Sequence, residues 1–346
     1  MSRRTLTLAM SGVLVVFLSA LAALLPVPYV VLGPGPTTDT LGSDKGKELI
    51  TVSGRQTYPD DGDLRLTTVE STGGPGSRLD LVTALAAWLD DDKAVVPVES
   101  VYPPGSTAEQ VAEENAESMQ LSQEYATAAA LRSIDVPVTA VVRVESVARS
   151  APALGVLKAN DVIVAAAGRP MRAPDDLRSA IGTREPGQKV PMTVRRDGKN
   201  QELDVPTGKA DDGRTVVGIV PAVGYEFPFK VTISLDRVGG PSAGLMFALG
   251  IVEKLTPGSM TGGQHIAGTG TIDGEGKVGP IGGIQQKMAG ARGAGATVFL
   301  APAANCAEAV RDIPGGLRVV RVETLADARR SVEALAAGRT DVPACG

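Results

Sequence analysis

One serine stands at the mouth of an apolar helix in the stretch RVGGPSAGLMFALGIVEKL, residues 237–255, with Gly239, Gly240 and Gly244 crowded around it. Ser242 there is either a helix cap or a nucleophile. As a nucleophile it needs a neighbour to take its proton, because a hydroxyl at its free pKa attacks poorly. The chain holds a single histidine, His265, so a Ser-His-Asp arrangement would have to use it. Its setting, GGQHIAG ahead of a strand-like run, has no spacing that marks a base, and a loop or surface role is the plainer expectation. A lysine is the other candidate. It serves as a base only when burial penalises its charged form and brings its pKa toward neutrality. In IGGIQQKMAGARGAG, Ile284, Met288 and Ala291 make one helical face, and Lys287 adjoins it in a segment poor in charge. A lysine at such a boundary can equally snorkel to water, so spacing alone leaves the choice open.

The rest of the composition removes whole classes of chemistry. One histidine and two cysteines are too few for a zinc site built from clustered ligands. No G-x-x-x-x-G-K-[ST] stretch offers a phosphate-cradling loop for ATP. A net charge of −5 and 3% aromatic residues argue against nucleic acid, which asks for a basic surface and stacking rings. Neither a metal nor a cofactor is expected.

Several elements must hold any such site in place. At 346 residues with 43% apolar content, the chain is expected to build two or three domains. Arg3 and Arg4 precede a span without charge up to Asp39. Within it, Leu6 to Leu25 is about the length that crosses the hydrocarbon as a helix, and Pro26 and Pro28 stop it. The reading is a single-pass membrane anchor over 1–34, with the arginines cytoplasmic and the bulk of the chain extracytoplasmic. A cleaved signal peptide is the alternative, since SALAA carries a weak A-x-A pattern. Either way the compartment permits disulfides, and Cys306 with Cys345 is expected to bridge, the alternative being two unrelated thiols. LGPGPTTDTLG, residues 32–42, reads as a turn-rich linker. It opens a membrane-proximal α/β segment over 35–134, with strands in ELITVSG and GDLRLTTVES and helices over 78–90 and 106–133. The longer helix begins on a capping box, Ser106 or Thr107 with Glu109 or Gln110 behind it. Its Met119 is expected to pack rather than to function. Residues 135–210 form a β-rich unit whose hairpin turns at Asp197-Gly198. Residues 211–338 make the last module and 339–346 a tail.

Two resemblances organise these pieces. SAPALGVLKANDVIV, GRP at 168–170 and the final hairpin resemble a PDZ domain of the bacterial protease type. The resemblance implies a small β-barrel with helices that takes a peptide C-terminus as an added strand, its carboxylate held by N–H groups near residues 136–140. Asn160 stands where that family has glycine, and asparagine also tolerates a left-handed backbone. GGPSAGL at 239–245, followed by AGTGTIDGEGKVGPIGGIQQKMAGARGAGATVFLAP at 267–302, is similar to the proteolytic domain of Lon proteases. That resemblance implies a catalytic pair of Ser242 as nucleophile and Lys287 as base, with Thr269 holding the lysine. Gly239, Gly240 and Gly244 would let substrate backbone come close. The glutamate of Lon's T-G-E motif is Thr271 here, and Lon's acidic residue before the serine motif is Gly239, with Asp236 the acid nearest to compensate. The order anchor, PDZ, Lon-type domain resembles small bacterial membrane proteins called YlbL-like. The implied fold is α+β and multidomain: a transmembrane helix, a PDZ-like β-barrel and a Lon-type α/β domain. The implied function is an ATP-independent serine endopeptidase acting on extracytoplasmic or membrane-proximal polypeptides, with self-association implied by the rings that Lon-type domains form. The alternative is a non-catalytic PDZ scaffold carrying an inactive Lon-like domain.

Overall fold

The structure, a computed structural model, describes residues 3–44, 46–235 and 238–346. The chain divides into two compact units. One is built from both ends of the sequence, up to Asp135 and from Phe229 onward; the other is Val136–Pro228.

The first unit opens with α1 (Arg3–Leu24), β1 (Tyr29–Asp39), β2 (Ile50–Ser53), β3 (Asp63–Thr72), α2 (Leu81–Trp88), β4 (Ala94–Pro97) and α3 (Ala108–Ser133). The second unit supplies β5 (Thr139–Val147), β6 (Val162–Ala166), α4 (Pro174–Ile181), β7 (Lys189–Arg196), β8 (Lys199–Pro206) and β9 (Ile219–Glu226). The chain returns with β10 (Lys230–Ile233), α5 (Gly244–Leu255), β11 (His265–Gly268), α6 (Ile284–Gly293), β12 (Val298–Pro302), α7 (Cys306–Ala309), β13 (Arg318–Val322) and α8 (Leu325–Ala336).

The first unit is organised on one sheet of order β13-β12-β11-β3-β1-β4. β3, β11, β12 and β13 run parallel, while β1 is antiparallel to both β3 and β4. Parallel strands need crossovers, and α6 supplies the one between β11 and β12. Burial on both faces explains why VFLAP of β12 is buried at every residue. α5 is likewise buried along its whole length, so its apolar character surrounds the helix rather than marking one face.

The sequence reading of 35–134 as a separate segment is corrected here: β1, β3 and β4 complete the same sheet as β11, β12 and β13. LGPGP is not a linker but the middle of β1. Two prolines are accommodated because β4 pairs only with residues 29–32 and the register with β3 shifts between Pro34 and Thr37, a bulge on a stretch flanked on one side. Gly35 is required there, since a side chain would meet the Thr68 hydroxyl at 2.3 Å. The capping box of α3 is realised by Thr107 and Gln110. Leu6–Leu25, expected to span a membrane, lies mostly on α1, whose described side chains are exposed. Among the described residues, no helix is long and apolar enough to cross a membrane. Cys306 and Cys345 are joined as a disulfide.

The second unit is an antiparallel sheet of path order β8-β7-β6-β5-β9 with α4 beside it. Its core gathers Val142, Ile163, Leu177, Met192 and Val194. Asp197 and Gly198 both take positive φ, 51° and 75°, as a tight hairpin of matching twist requires. Asn160 is left-handed at φ 69°. Beside it, buried Asp161 takes a two-pronged ion pair from Arg196 at 2.7 Å, which ties the turn to the hairpin. β9 belongs to this unit because it pairs with β5 along its length. The last module therefore begins near residue 229 and not at 211.

Candidate active site

Ser242 lies in the turn that enters α5. The preceding loop is clamped by α3: Gly240 N–H donates to the Asn115 carbonyl at 3.0 Å, and the Ser122 hydroxyl donates to the Pro241 carbonyl at 3.0 Å. Glycine at 239 and 244 answers a packing demand. A side chain at 239 would meet Asn115 Cβ at 2.6 Å, and one at 244 would meet Ile272 and Ser122 at 2.9 Å. Lon's acidic residue before the serine motif therefore has no room at position 239 in this chain.

α6 delivers the lysine. It starts on Gly283, whose φ of 67° is left-handed and whose Cβ would sit 2.7 Å from Val69 Cγ2. Only glycine suits both demands. Lys287, one turn further on, is 3% exposed, with Ile284, Met288 and Ala291 buried on the same helix. Its Nζ stands 2.8 Å from Ser242 Oγ, 3.1 Å from Thr269 Oγ1 and 3.1 Å from the Thr67 carbonyl. The Thr269 hydroxyl in turn donates to the Ser242 carbonyl at 3.0 Å, which Gly270 N–H also reaches at 2.8 Å.

The arrangement closes as a proton inventory. A neutral amine has two N–H donors and one lone pair. The donors satisfy the Thr67 carbonyl and Thr269 Oγ1, and the lone pair is left for the Ser242 O–H. Burial alone drives the Lys287 amine down from its ordinary 10.5 to about 8. An amine so placed accepts a hydroxyl proton near neutral pH, as a charged surface lysine does not.

The pair faces a cleft of about 980 Å³, walled by β3 residues Thr67 to Glu70, by Met119 and by the Pro280–Gly282 turn. β11 stops at Gly268, opposite Leu66. Beyond that point, among the described residues, β3 is paired only with β1. A stretch of strand edge thus lies open along the cleft, next to the serine. At the start of α5 the Leu245 N–H donates to the Gly270 carbonyl at 3.1 Å, which leaves the Gly244 N–H, two residues after Ser242, as the first helical donor without a partner inside the helix. Together these features offer a nucleophile, a base, a donor for an oxyanion and a template for an extended chain.

Residues 237–332 match the Lon protease (S16) C-terminal proteolytic domain. Residues 118–207 match a PDZ domain. The chain carries both, and its homologues include Lon proteases. It is 39% identical over 104 residues to Lon protease 1 of Bacillus subtilis, covering 30% of this chain and 13% of that one. It is 39% identical over 74 residues to a probable periplasmic serine endoprotease, DegP-like, of Pseudomonas savastanoi, covering 21% of this chain and 15% of that one. The chain therefore spans well under a fifth of the length of these relatives. Among solved structures, the PDZ domain of an SdrC-like protein from Listeria monocytogenes is 26% identical, with a TM-score of 0.23, covering 23% of this chain and 86% of that one.

Of the residues singled out in the sequence, the structure brings Ser242, Lys287 and Thr269 together. His265 is elsewhere: it is exposed at the start of β11, and its Nδ1 is paired with Asp63 at 2.9 Å. Thr271 lines the cleft. Asp236 lies outside the described residues. Thr67, Asn115 and Ser122 were missed, because two of the three act through backbone carbonyls, which carry no residue signature. Met119 packs and also walls the cleft.

Of the N–H groups near 136–140 expected to hold a peptide carboxylate, Thr139 and Ala140 lie on β5, which β9 pairs from Thr139 onward, and residues 136–138 precede that ladder. β8 and β9 are the two ends of the sheet's strand order. A groove of about 580 Å³ runs between α4 and the approach to β9, lined by Leu177, Ile181, Val217 and Ile219 with Arg178 and Arg214.

Proposed function

We propose that the first unit is a serine endopeptidase in which Ser242 is the nucleophile and Lys287 the general base. The observation that carries this reading is the 2.8 Å approach of a buried amine with a lowered pKa to a hydroxyl at the edge of a cleft. Lys287 Nζ takes the hydroxyl proton as Ser242 Oγ bonds to the scissile carbonyl carbon. The oxyanion forms against the N–H that opens α5. When the tetrahedral species collapses, the C–N bond breaks and the Lys287 ammonium gives its proton to the leaving amine. Water then attacks the acyl-enzyme carbonyl, losing a proton to Lys287; the C–Oγ bond breaks, the Lys287 ammonium returns that proton to Ser242 Oγ, and the product carboxylate leaves.

The open edge of β3 favours an extended polypeptide over a folded one. With no ATP-binding loop in the sequence, the enzyme works without ATP on segments that are already unfolded. The second unit captures a substrate C-terminus, or regulates access, in the groove beside β9. No helix among the described residues is by itself long and apolar enough to span, and the reading of α1 as a membrane anchor like that of YlbL-like proteins is supported by the uncharged sequence from Leu6 to Leu25 and by the strong exposure of Leu8, Val13, Val16 and Phe17. Arg3 and Arg4 favour the cytoplasmic side and the disulfide favours an extracytoplasmic bulk.

The test is cleavage of an unfolded protein by the full chain in detergent. Ser242→Ala and Lys287→Ala are each expected to lower kcat by about 10⁴-fold or more, with no further loss when combined, since the two act as a unit. Equal cleavage by all samples would trace activity to a contaminant. No cleavage by any would favour the non-catalytic scaffold.

A further inference from the structure

α2 is patterned inside out. Its small residues Ala84 and Ala87 face inward onto Val31 and Leu79. Its large apolar residues Val82, Leu85, Trp88 and Leu89 face out, the last two 74% and 81% exposed. A helix facing water shows the reverse. Spacing at i, i+3, i+6 and i+7 puts the four on one side.

The position of this face names what covers it. Pro26–Val27, the first residues after α1, pair with Leu79–Asp80, the residues that open α2. Leu25 and Tyr29, also exposed, lie on the same junction. The apolar face of α2 is therefore tethered within a few residues of the point where α1 ends. A tryptophan and a tyrosine at that level suit the boundary between headgroups and acyl chains. Asp91 and Asp92 are exposed directly after the helix, and Asp90 is neutralised by Lys93 at 2.8 Å. An acidic border disfavours anionic headgroups.

We propose that the outer face of α2 docks on the surface of a zwitterionic lipid bilayer, seating Trp88 among the headgroups beside α1. This rests on the reading of α1 as a membrane anchor. Docking by apolar insertion, with no basic patch, makes the contact insensitive to salt.

Trp88 is the chain's one tryptophan, so its fluorescence reports this face alone. The full chain is reconstituted into phosphatidylcholine vesicles and floated on a density gradient. In the floating fraction, Trp88 emission is expected at shorter wavelength than in a chemically unfolded control. Quenching should be stronger by lipids brominated near the headgroup than by lipids brominated at the chain end, and unchanged by high salt. Leu85→Glu with Leu89→Glu should abolish the bromolipid quenching while flotation persists. A chain that fails to float overturns the anchor and the docking together. A chain that floats with Trp88 open to iodide, and silent to bromolipid, overturns the docking alone. Trp88 shielded from both, with shielding lost on dilution of protein in the vesicle, would assign the face to a second copy and also overturn the proposal.

Discussion

At the scale of single residues, the site depends on withholding water from one amine. Among the described residues no carboxylate pairs with Lys287, and burial is the cause of its lowered pKa. Activity should therefore follow the neutral fraction. We expect kcat/KM to rise with pH and level off above about 8, measured on a fluorogenic unfolded substrate. The same burial has a stability signature of definite sign. Below about 8 the amine is charged in both folded and unfolded chains, and the folded one bears the full burial cost. Between about 8 and 10.5 the folded amine is neutral first, so that cost fades. Lys287→Met should thus abolish cleavage yet stabilise at pH 7 by up to about 3 kcal/mol, less the cost of orphaning the Thr67 carbonyl, with the gain vanishing toward pH 10 in melting curves. Thr269 acts through the lysine. Thr269→Val is expected to lower kcat roughly 10–100-fold with KM unchanged, the worth of one hydrogen bond to an ionising group, while Thr269→Ser retains activity.

At the scale of elements, three pieces distant in sequence converge. α6 brings the amine, the turn into α5 brings the hydroxyl, and β3 brings the carbonyl that orients the amine. α3 holds the serine loop from behind through Asn115 and Ser122. The start of α6 is the most sensitive joint. Gly283→Ala places a Cβ on a left-handed residue, at about 1–2 kcal/mol, and drives it against Val69. The expected result is a lower Tm together with a kcat loss of about 10²-fold, the effect of misplacing the base by an ångström or so. Gly293→Ala, a glycine in the last turn of α6 with open space at its Cβ, is the control and should leave both readouts intact.

At the scale of the whole molecule, the first unit is stitched from both ends of the chain, and the second unit is an insertion between α3 and β10. The sheet that positions the candidate site cannot form until β3 and β11, some 200 residues apart, find each other. The disulfide secures the far edge of this unit: it closes a separation of 39 residues, and Cys345 N–H also reaches the Val319 carbonyl of β13 at 3.2 Å. Reduction, or Cys306→Ser with Cys345→Ser, should cost about 4 kcal/mol by the chain-entropy account, read as a fall in the denaturant midpoint under otherwise equal conditions.

Ser242 and Lys287 could be singled out as candidates from local patterns, a glycine-ringed serine and a lysine beside an apolar helical face, but spacing left the lysine's role open and the likeness to the Lon proteolytic domain paired the two. Legible as well were α3 with its capping box, the Asp197-Gly198 hairpin and the pairing of two cysteines. Tertiary structure alone decided that LGPGP is a bulged strand, that 35–134 shares the sheet of the first unit, and that β5 is paired on both sides, by β6 and β9. It also decided that Thr67, Asn115 and Ser122 serve the site. The division has one physical reason. Periodicity and turn chemistry act within a few residues and are written in side chains, whereas strand partners and backbone acceptors are chosen by burial across the whole chain, and a carbonyl looks the same on every residue.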